Sequence, residues 1–470
     1  MTTQLAQLAS TKRSLRLGFA IICFLLLEAC TEHIVYKQTN GSNVNAIYTL
    51  SSNRTSPMAI ATGPDALSPC GPTNDGRVVY TRLTPDNGGD IYVVNAEDGS
   101  GLTPVRATWE DEQCVYVTPN NTVIYEETVP AWNGRHNIMA IPVGSVIPQN
   151  VATDAYDQIF KAYAPDKSVI YLRESPLGIG AYDILATKIG GQFVVLAQIF
   201  PTNYNQPTFN AVSRDNRVIF SESTEYQQGK TSLNIFSVST DGSNAMAIAQ
   251  DPPAQDIYCA LTSDNRILYT KRSTGVVNGT GVTYGNLYAV NPDGSNRILL
   301  IKGPPDYDDT CQGVTYDNHV IFVRNMAQSG HAGEGELYSV LADGNSQPVL
   351  LAPASSTLDS STVNVFEKAT PGNRVLFRTI NSSETSTGTV YSVTLNSINP
   401  DGTGLVNLAT NYNLVQGVTI GERVIFNSRV PGNSSQTTMN LFIVPSTGGT
   451  APSPIAPTTD SQDLSFIFYY

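Results

Sequence analysis

From residue 34 to the end of the chain, short apolar runs alternate with polar turns, and no long stretch outside the N-terminus carries the 3.6-residue periodicity of a helix. One pattern recurs. A turn rich in Asp or Asn leads into a β-branched pair ending in an aromatic; a loop follows, then a second apolar strand with its own aromatic, and often Asp-Gly. The clearest copy is Asn74-Asp75-Gly76-Arg77-Val78-Val79-Tyr80, followed by Asp90-Ile91-Tyr92-Val93-Val94-Asn95 and Asp98-Gly99. Further copies place the first aromatic at Tyr125, Tyr171, Phe220, Tyr269, Phe322, Phe377 and Phe426, 45 to 55 residues apart. Asp241-Gly242, Asp293-Gly294, Asp343-Gly344 and Asp401-Gly402 supply the positive φ of a tight hairpin.

Each repeat holds four strands. One lies before the polar turn, as in Cys259-Ala260-Leu261-Thr262, and one after the Asp-Gly, as in Arg297-Ile298-Leu299-Leu300. A four-stranded sheet repeated at this period buries both faces only by stacking on its neighbours, which predicts an all-β chain folded as a β-propeller of antiparallel blades. Both parities of Val78-Val79-Tyr80 are apolar, so that strand is expected in mid-blade. His33–Lys37, Asn45–Leu50 and Met58–Ala61 read as the last three strands of a unit, and Leu464–Tyr470 as a first strand. Pairing them would complete one blade and close the ring, giving nine blades, with eight as the alternative.

Asp90-Ile91-Tyr92 to Gly99 and Leu287-Tyr288-Ala289-Val290-Asn291-Pro292-Asp293-Gly294 resemble the propeller repeat of the TolB family, and related repeats occur in prolyl oligopeptidase-like enzymes and oligogalacturonate lyases. The resemblance covers residues 34–470 and implies the propeller fold. TolB proteins carry an α/β domain before the propeller, for which this chain has no room.

At the N-terminus, Lys12, Arg13 and Arg16 precede the apolar run Leu17–Leu27, the pattern of a secretory signal. Leu27-Glu28-Ala29-Cys30 resembles the lipobox of bacterial lipoproteins, with Glu28 a departure from it. The expected organisation is a signal peptide at 1–29, lipidation at Cys30, a short tether at 30–33 and a single propeller over 34–470. The resemblance implies export to the periplasm or cell surface, with a lipid anchor in the outer membrane through Cys30 and no other membrane contact. Thr31 after the cysteine fits that destination.

Gly 37, Pro 28 and Tyr 23 beside 14% charged residues suit short strands and tight turns. The formal charge is −13 and becomes −15 without residues 1–29. Nucleic acid is therefore excluded as a partner, because phosphate binding needs a clustered basic surface. A basic partner or a bound cation fits the sign.

Loops joining the second and third strands, such as Thr270 to Gly285 and Arg324 to Gly335, read as long and variable, which places the functional surface at that end of the blades. Ahead of the first strands, at the same end, stand Glu110, Asp111, Glu112, Asp154, Asp157, Asp256, Asp306, Asp308, Asp309 and Asp463. They are expected to form an acidic rim that could attract a basic partner or hold a hard cation such as calcium, with no cofactor otherwise expected. Trp132, Arg135, His136 and Tyr226 are candidate contact anchors in the loops. Cys70, Cys114, Cys259 and Cys311 lie on first strands at spacings near one repeat, which suggests Cys70–Cys114 and Cys259–Cys311 disulfides, with free thiols as the alternative.

No G-x-S-x-G elbow, H-E-x-x-H helix or phosphate loop is present. His331 with Glu334 and Glu336 has conceivable metal spacing, but its glycine-rich loop is a poor cage. His319 reads as a repeat variant of Arg77 or Arg217. These features favour an envelope lipoprotein binding a protein or polymer, over a carbohydrate-active enzyme using acidic channel residues or a structural subunit of a surface assembly.

Overall fold

The computed structural model describes residues 32–40, 45–51, 56–84, 88–129, 134–175, 181–198, 207–227, 230–277, 280–303, 307–326, 335–356, 360–385, 388–429, 439–455 and 461–469. The expected signal peptide, Cys30, Trp132, Asp306, His331, Glu334 and the side chain of Asp463 fall outside them.

Every regular element among these residues is a strand. The first sheet holds β1 (His33–Asn40), β2 (Asn45–Ser51) and β3 (Met58–Gly63). The second holds β4 (Ala66–Pro72), β5 (Arg77–Thr84), β6 (Gly88–Asn95) and β7 (Thr103–Arg106). Next come β8 (Glu112–Val117), β9 (Thr122–Val129), β10 (Arg135–Pro142) and β11 (Gln149–Ala152), then β12 (Gln158–Tyr163), β13 (Val169–Glu174), β14 (Tyr182–Thr187) and β15 (Val194–Ala197). The following sheet holds β16 (Thr208–Val212), β17 (Arg217–Gln227), β18 (Lys230–Ser239) and β19 (Met246–Ala249).

β20 (Gln255–Leu261), β21 (Ile267–Val277), β22 (Thr280–Val290) and β23 (Ile298–Ile301) share an eight-stranded sheet with β24 (Tyr307–Val314), β25 (His319–Met326), β26 (Glu336–Leu341) and β27 (Val349–Ala352). A single parallel pair, Gly285 with Asp308, joins its halves. β28 (Ser355–Ser356), β29 (Ser360–Ala369), β30 (Val375–Thr385), β31 (Gly388–Ile398) and β32 (Val406–Thr410) form a five-stranded sheet, and β33 (Tyr412–Val418), β34 (Arg423–Arg429), β35 (Met439–Pro445) and β36 (Ser453–Pro454) a four-stranded one. β37 (Ser461–Tyr469) returns to the first sheet, antiparallel to β1, in the order β3-β2-β1-β37. Serial four-stranded antiparallel units of this kind are the arrangement of a β-propeller.

The core lies between successive sheets. Val79, Ile91 and Val93 of one sheet pack on Val123, Tyr125 and Met139 of the next, and Ile34 and Tyr36 of the first sheet pack on Ile425 and Leu441 of the β33–β36 sheet. This sandwiching explains why the second strands are apolar at both parities: Val78, Val79 and Tyr80 are all buried. Across the strand pairs the repeat aromatics stack in register, with ring centroids 5.3 Å apart for Tyr36–Tyr48, 5.2 Å for Tyr269–Tyr288 and 5.3 Å for Phe322–Tyr338. Such pairs add about 0.5–1.5 kcal/mol each beyond area burial.

First strands carry a bulge just past the residue opposite the aromatic, between Cys114 and Tyr116, Tyr258 and Ala260, and Cys311 and Gly313. Disulfides Cys70–Cys114 and Cys259–Cys311 cross between first strands of successive four-stranded units, with Cα–Cα distances of 5.8 and 5.9 Å. Each closes a loop of 44 or 52 residues, stabilising by about 4 kcal/mol in the chain-entropy model.

At one end of the sheets lie the turns between first and second and between third and fourth strands. Asn121, Asn216, Asn265, Asn318 and Asn373 sit there at φ of 60–72°, a region Asn tolerates. Their side-chain carbonyls accept N–H groups from the preceding sheet's turn: Asn74 to Asn121 at 2.7 Å, Asp166 to Asn216 at 2.8 Å, Arg214 to Asn265 at 2.8 Å, Ser263 to Asn318 at 2.7 Å and Asp317 to Asn373 at 2.8 Å. The Asp-Gly turns touch the preceding sheet as well. A Cβ on Gly344 would lie 2.3 Å from Ile298 Cγ2, and one on Gly242 would lie 2.6 Å from Val194 Cγ1, so glycine is needed there for contact as well as for φ.

Candidate functional site

Strand register puts the starts of the first strands, the ends of the second and the starts of the third together at the opposite end, where Glu112 lies across from Glu127. Two features converge there, the acidic residues and the connections between second and third strands.

The acids occupy the seams between sheets in a repeated two-residue arrangement. The first residue of each pair ties the previous sheet: Asp111 Oδ1 accepts the Gly89 N–H at 2.6 Å, Asp157 Oδ1 the His136 N–H at 3.0 Å, and Gln255 Oε1 the Leu233 N–H at 2.9 Å. Asp308 takes the same place beside Gly285. The second residue turns inward, and Glu112, Gln158, Asp256 and Asp309 are all fully buried. The sequence predicted a solvent-facing rim; much of it is instead buried in the seams, because arginines from neighbouring strands supply the countercharge. Arg324 grips Asp309 with two bonds of 2.7 Å, Arg272 holds Asp308 at 2.6 Å, and Arg173 lies 3.4 Å from Asp154. Asp154 also accepts from the Gln158 amide at 2.8 Å.

Three carboxylates share one arginine in the seam between the β4–β7 and β8–β11 sheets. Arg106 reaches Glu127 at 3.1 Å, Glu112 at 3.4 Å and Glu110 at 3.5 Å, and one oxygen of each acid lies within 4.8 Å of the others. Burial pushes the Glu112 carboxyl up to about 7, with the charges of Glu127 and Asp90 adding to it, and raises Glu127 in the same way, helped by Glu110. Thr108 donates its hydroxyl to Glu112. The donor set suits a hard cation such as calcium in kind, yet the guanidinium already lies among the three acids and supplies positive charge there. In the β20–β23 sheet, burial pushes Asp256 up to about 6, while Lys271 and Arg297 are drawn to Asp251 at 2.9 and 2.8 Å.

Of the expected anchors, His136 and Asp157 come together: imidazole Nδ1 lies 2.9 Å from the carboxylate, which also accepts from the Tyr182 hydroxyl at 3.3 Å. Arg135 pairs with Glu174 at 3.2 Å and donates to the Ala155 carbonyl. Tyr226 is half-buried near the end of β17. His319 stands at the start of β25, 2.9 Å from Asp317 in its own turn, as a repeat variant would.

Thr270 to Gly285 is not the irregular loop its composition suggested. β21 and β22 pair without interruption from Ile267–Val290 to Val277–Thr280, as do β30 and β31, and β17–β18 runs equally far with one register shift between Glu225 and Gln227. These strands run 10 or 11 residues against 8 in β5. Three extra residues carry a ribbon about 10 Å beyond the sheet body. Val276 is 74% exposed on one ribbon, and Tyr391 is 68% exposed on another beside exposed Val390.

Trp109 was missed by the sequence reading. It stands 73% exposed ahead of Glu110 in the connection from β7 to β8, and its signal was a tryptophan within an acidic run just before a first strand.

No family model matches the chain, and no curated protein matches it. Among solved structures it is similar to TolB from Acinetobacter baumannii, at 13% identity over 56% of this chain and 62% of that one, with a TM-score of 0.30. It is similar too to an oligogalacturonate lyase from Vibrio parahaemolyticus, at 13% identity over 77% and 97% of the two chains and a TM-score of 0.36. A puromycin-hydrolyzing peptidase of Mycobacterium tuberculosis gives 14% identity over 72% and 52%, with a TM-score of 0.40. No assignment of activity is taken from these likenesses.

Proposed function

We propose that this chain is a nine-bladed propeller, its ring closed by β37 on β1, anchored in the outer membrane through Cys30, and that it binds an envelope protein or polymer with its ribbon-bearing end. The observation that carries this reading is the projection of the β17–β18, β21–β22 and β30–β31 ribbons beyond the sheet body, with Val276, Val390 and Tyr391 exposed on them. Apolar and aromatic side chains on rigid arms are contact anchors with little ordering cost on binding. Acids left partly open at the same end of other units, Asp111, Asp157 and Glu174, favour a partner with basic groups.

The test compares capture from envelope extract by residues 31–470 and by the same chain carrying Val276→Ser, Val390→Ser and Tyr391→Ser. A species retained by the parent and lost by the variant supports the ribbons as the binding surface; equal retention by both removes them from it. Replacing Cys30 with Ala should release the full-length protein from the membrane fraction, and continued membrane association of that variant would refute the anchor.

A second reading, a carbohydrate-active enzyme, draws on Glu112, whose carboxyl is pushed up to about 7 beside Glu110 and exposed Trp109. Glycoside hydrolysis uses a pair of carboxyl groups flanking the scissile bond. Release of reducing ends from envelope polysaccharide, abolished by Glu112→Gln, would favour it.

A further inference from the structure

A cavity of about 560 Å³ opens at the other end of the molecule, along the first strands just before their turns. Its walls come from four successive units, β16, β20, β24 and β29 with the turns that follow them. The size falls in the range of small-molecule sites. Leu261, Val314 and Phe366 give it apolar walls, and Tyr316, 59% exposed, stands at its edge. Phe366 lies across β24, since a Cβ on Gly313 would come within 2.6 Å of its ring, so this glycine makes the space the ring occupies.

Two cations line the cavity from opposite flanks in chain order, Arg214 after β16 and Lys368 in β29. Both are exposed, and among the described residues neither forms an ion pair. Arg214 donates to the Ser263 carbonyl, and Lys368 Nζ to the Gln416 carbonyl at 3.1 Å; neither is held in a salt bridge among the described residues, although the Lys368 charge acts on the neighbouring Glu367 carboxyl. The acids nearby are engaged elsewhere. Glu367 in the wall is 3.3 Å from Arg378 and accepts from the Tyr412 hydroxyl, while Asp215, Asp264 and Asp317 accept the hydroxyls of Ser213, Thr262 and Thr315 in their own turns. In a chain of net charge −13, an apolar pocket with two uncommitted cations is a local reversal of sign.

We propose that this cavity is a binding site for a small organic anion, a carboxylate on a flat or ring-shaped apolar body. The body lies against Phe366, Val314 and Leu261, and the carboxylate meets Arg214 and Lys368. Guanidinium and ammonium groups bind carboxylates through charge-assisted hydrogen bonds, and their present carbonyl partners leave donors to spare. The site is distinct from the ribbon-bearing surface and does not rest on it.

The test titrates the folded chain with benzoate, with benzyl alcohol as the neutral counterpart and inorganic phosphate as the anion without a ring, by calorimetry. Saturable benzoate binding is expected, with benzyl alcohol and phosphate each weaker by roughly tenfold, the weight of one charge or one buried ring. Arg214→Gln with Lys368→Gln should weaken benzoate by roughly tenfold or more while the melting temperature stays put, both side chains being exposed. The proposal is overturned if benzoate fails to bind up to about 50 mM, a weak-fragment limit. Equal affinity in the double variant overturns it too, as does phosphate binding as tightly as benzoate.

Discussion

The two ends of the sheets solve the same problem, holding one unit to the next, in different ways. At the turn end one solution recurs: in five units an Asn at positive φ accepts a backbone N–H from the preceding turn, Glu422 does the same for Gly372, and an Asp-Gly glycine lies against the preceding outer strand. At the ribbon end a side-chain oxygen again reaches back to the previous unit, but what surrounds it changes from seam to seam: Asp308 meets Arg272 in one, three glutamates surround Arg106 in another, and Asp157 takes the His136 backbone in a third. Local, repeated bonds fix the spacing of the sheets, which leaves the other end free to vary in length, charge and exposed side chains.

The contrast can be broken at either end, and the largest effect is expected at the ribbon end. Arg324→Met leaves the buried Asp309 carboxylate without its partner and should cost about 3–5 kcal/mol, read by chemical denaturation. A loss under about 1 kcal/mol would mean that this buried pair contributes little. At the turn end, Gly344→Ala meets both a positive φ and Ile298, and should cost about 2–4 kcal/mol. Gly76→Ala, at φ 79° with nothing within 4 Å, should cost only about 1 kcal/mol, so the difference isolates the packing. Asn318→Ala removes one tie and should cost about 1 kcal/mol, while Asn318→Gly keeps the φ and loses only the bond.

The pH response sharpens the comparison further. Glu112 is raised from its ordinary range to about 7, so the folded chain holds a proton that the unfolded chain releases near pH 4.5. Its contribution to stability is complete below pH 4.5 and is lost as pH rises to about 7. Glu112→Gln should therefore flatten the fall in denaturation midpoint between those values; an unchanged slope would clear Glu112 of that role. Smallest of all, Val390→Ser with Tyr391→Ser should shift stability by no more than about 0.5 kcal/mol, since both side chains are exposed.

How much of this was legible follows the physics of each signal. Strands such as Val78–Tyr80 announced themselves because burial on both faces demands apolar residues at both parities, and the cysteines because their spacing matched the repeat. The ribbons did not: between Ser273 and Gly285 the apolar residues are few, Val282 buried and Val276 exposed among them, and the glycines resemble a loop. Asp308 and Asp309 looked like surface acids because Arg272 and Arg324, their partners, approach only once the strands pair. The turn asparagines were visible as a composition, but their bond to the preceding unit is a relation between residues about 50 positions apart.

The pairing of β1 with β37 sets an order of events for a chain made from its N-terminus. Ile34, Val35 and Tyr36 emerge early, yet the strand that covers their open edge lies more than 400 residues downstream. Throughout synthesis that edge is an unoccupied template, able to recruit any extended segment that reaches it first. Closure of the first sheet and the hazard of mispairing are thus set by the same strand, and a helper that shields residues 33–40 until the last strand arrives would remove that hazard.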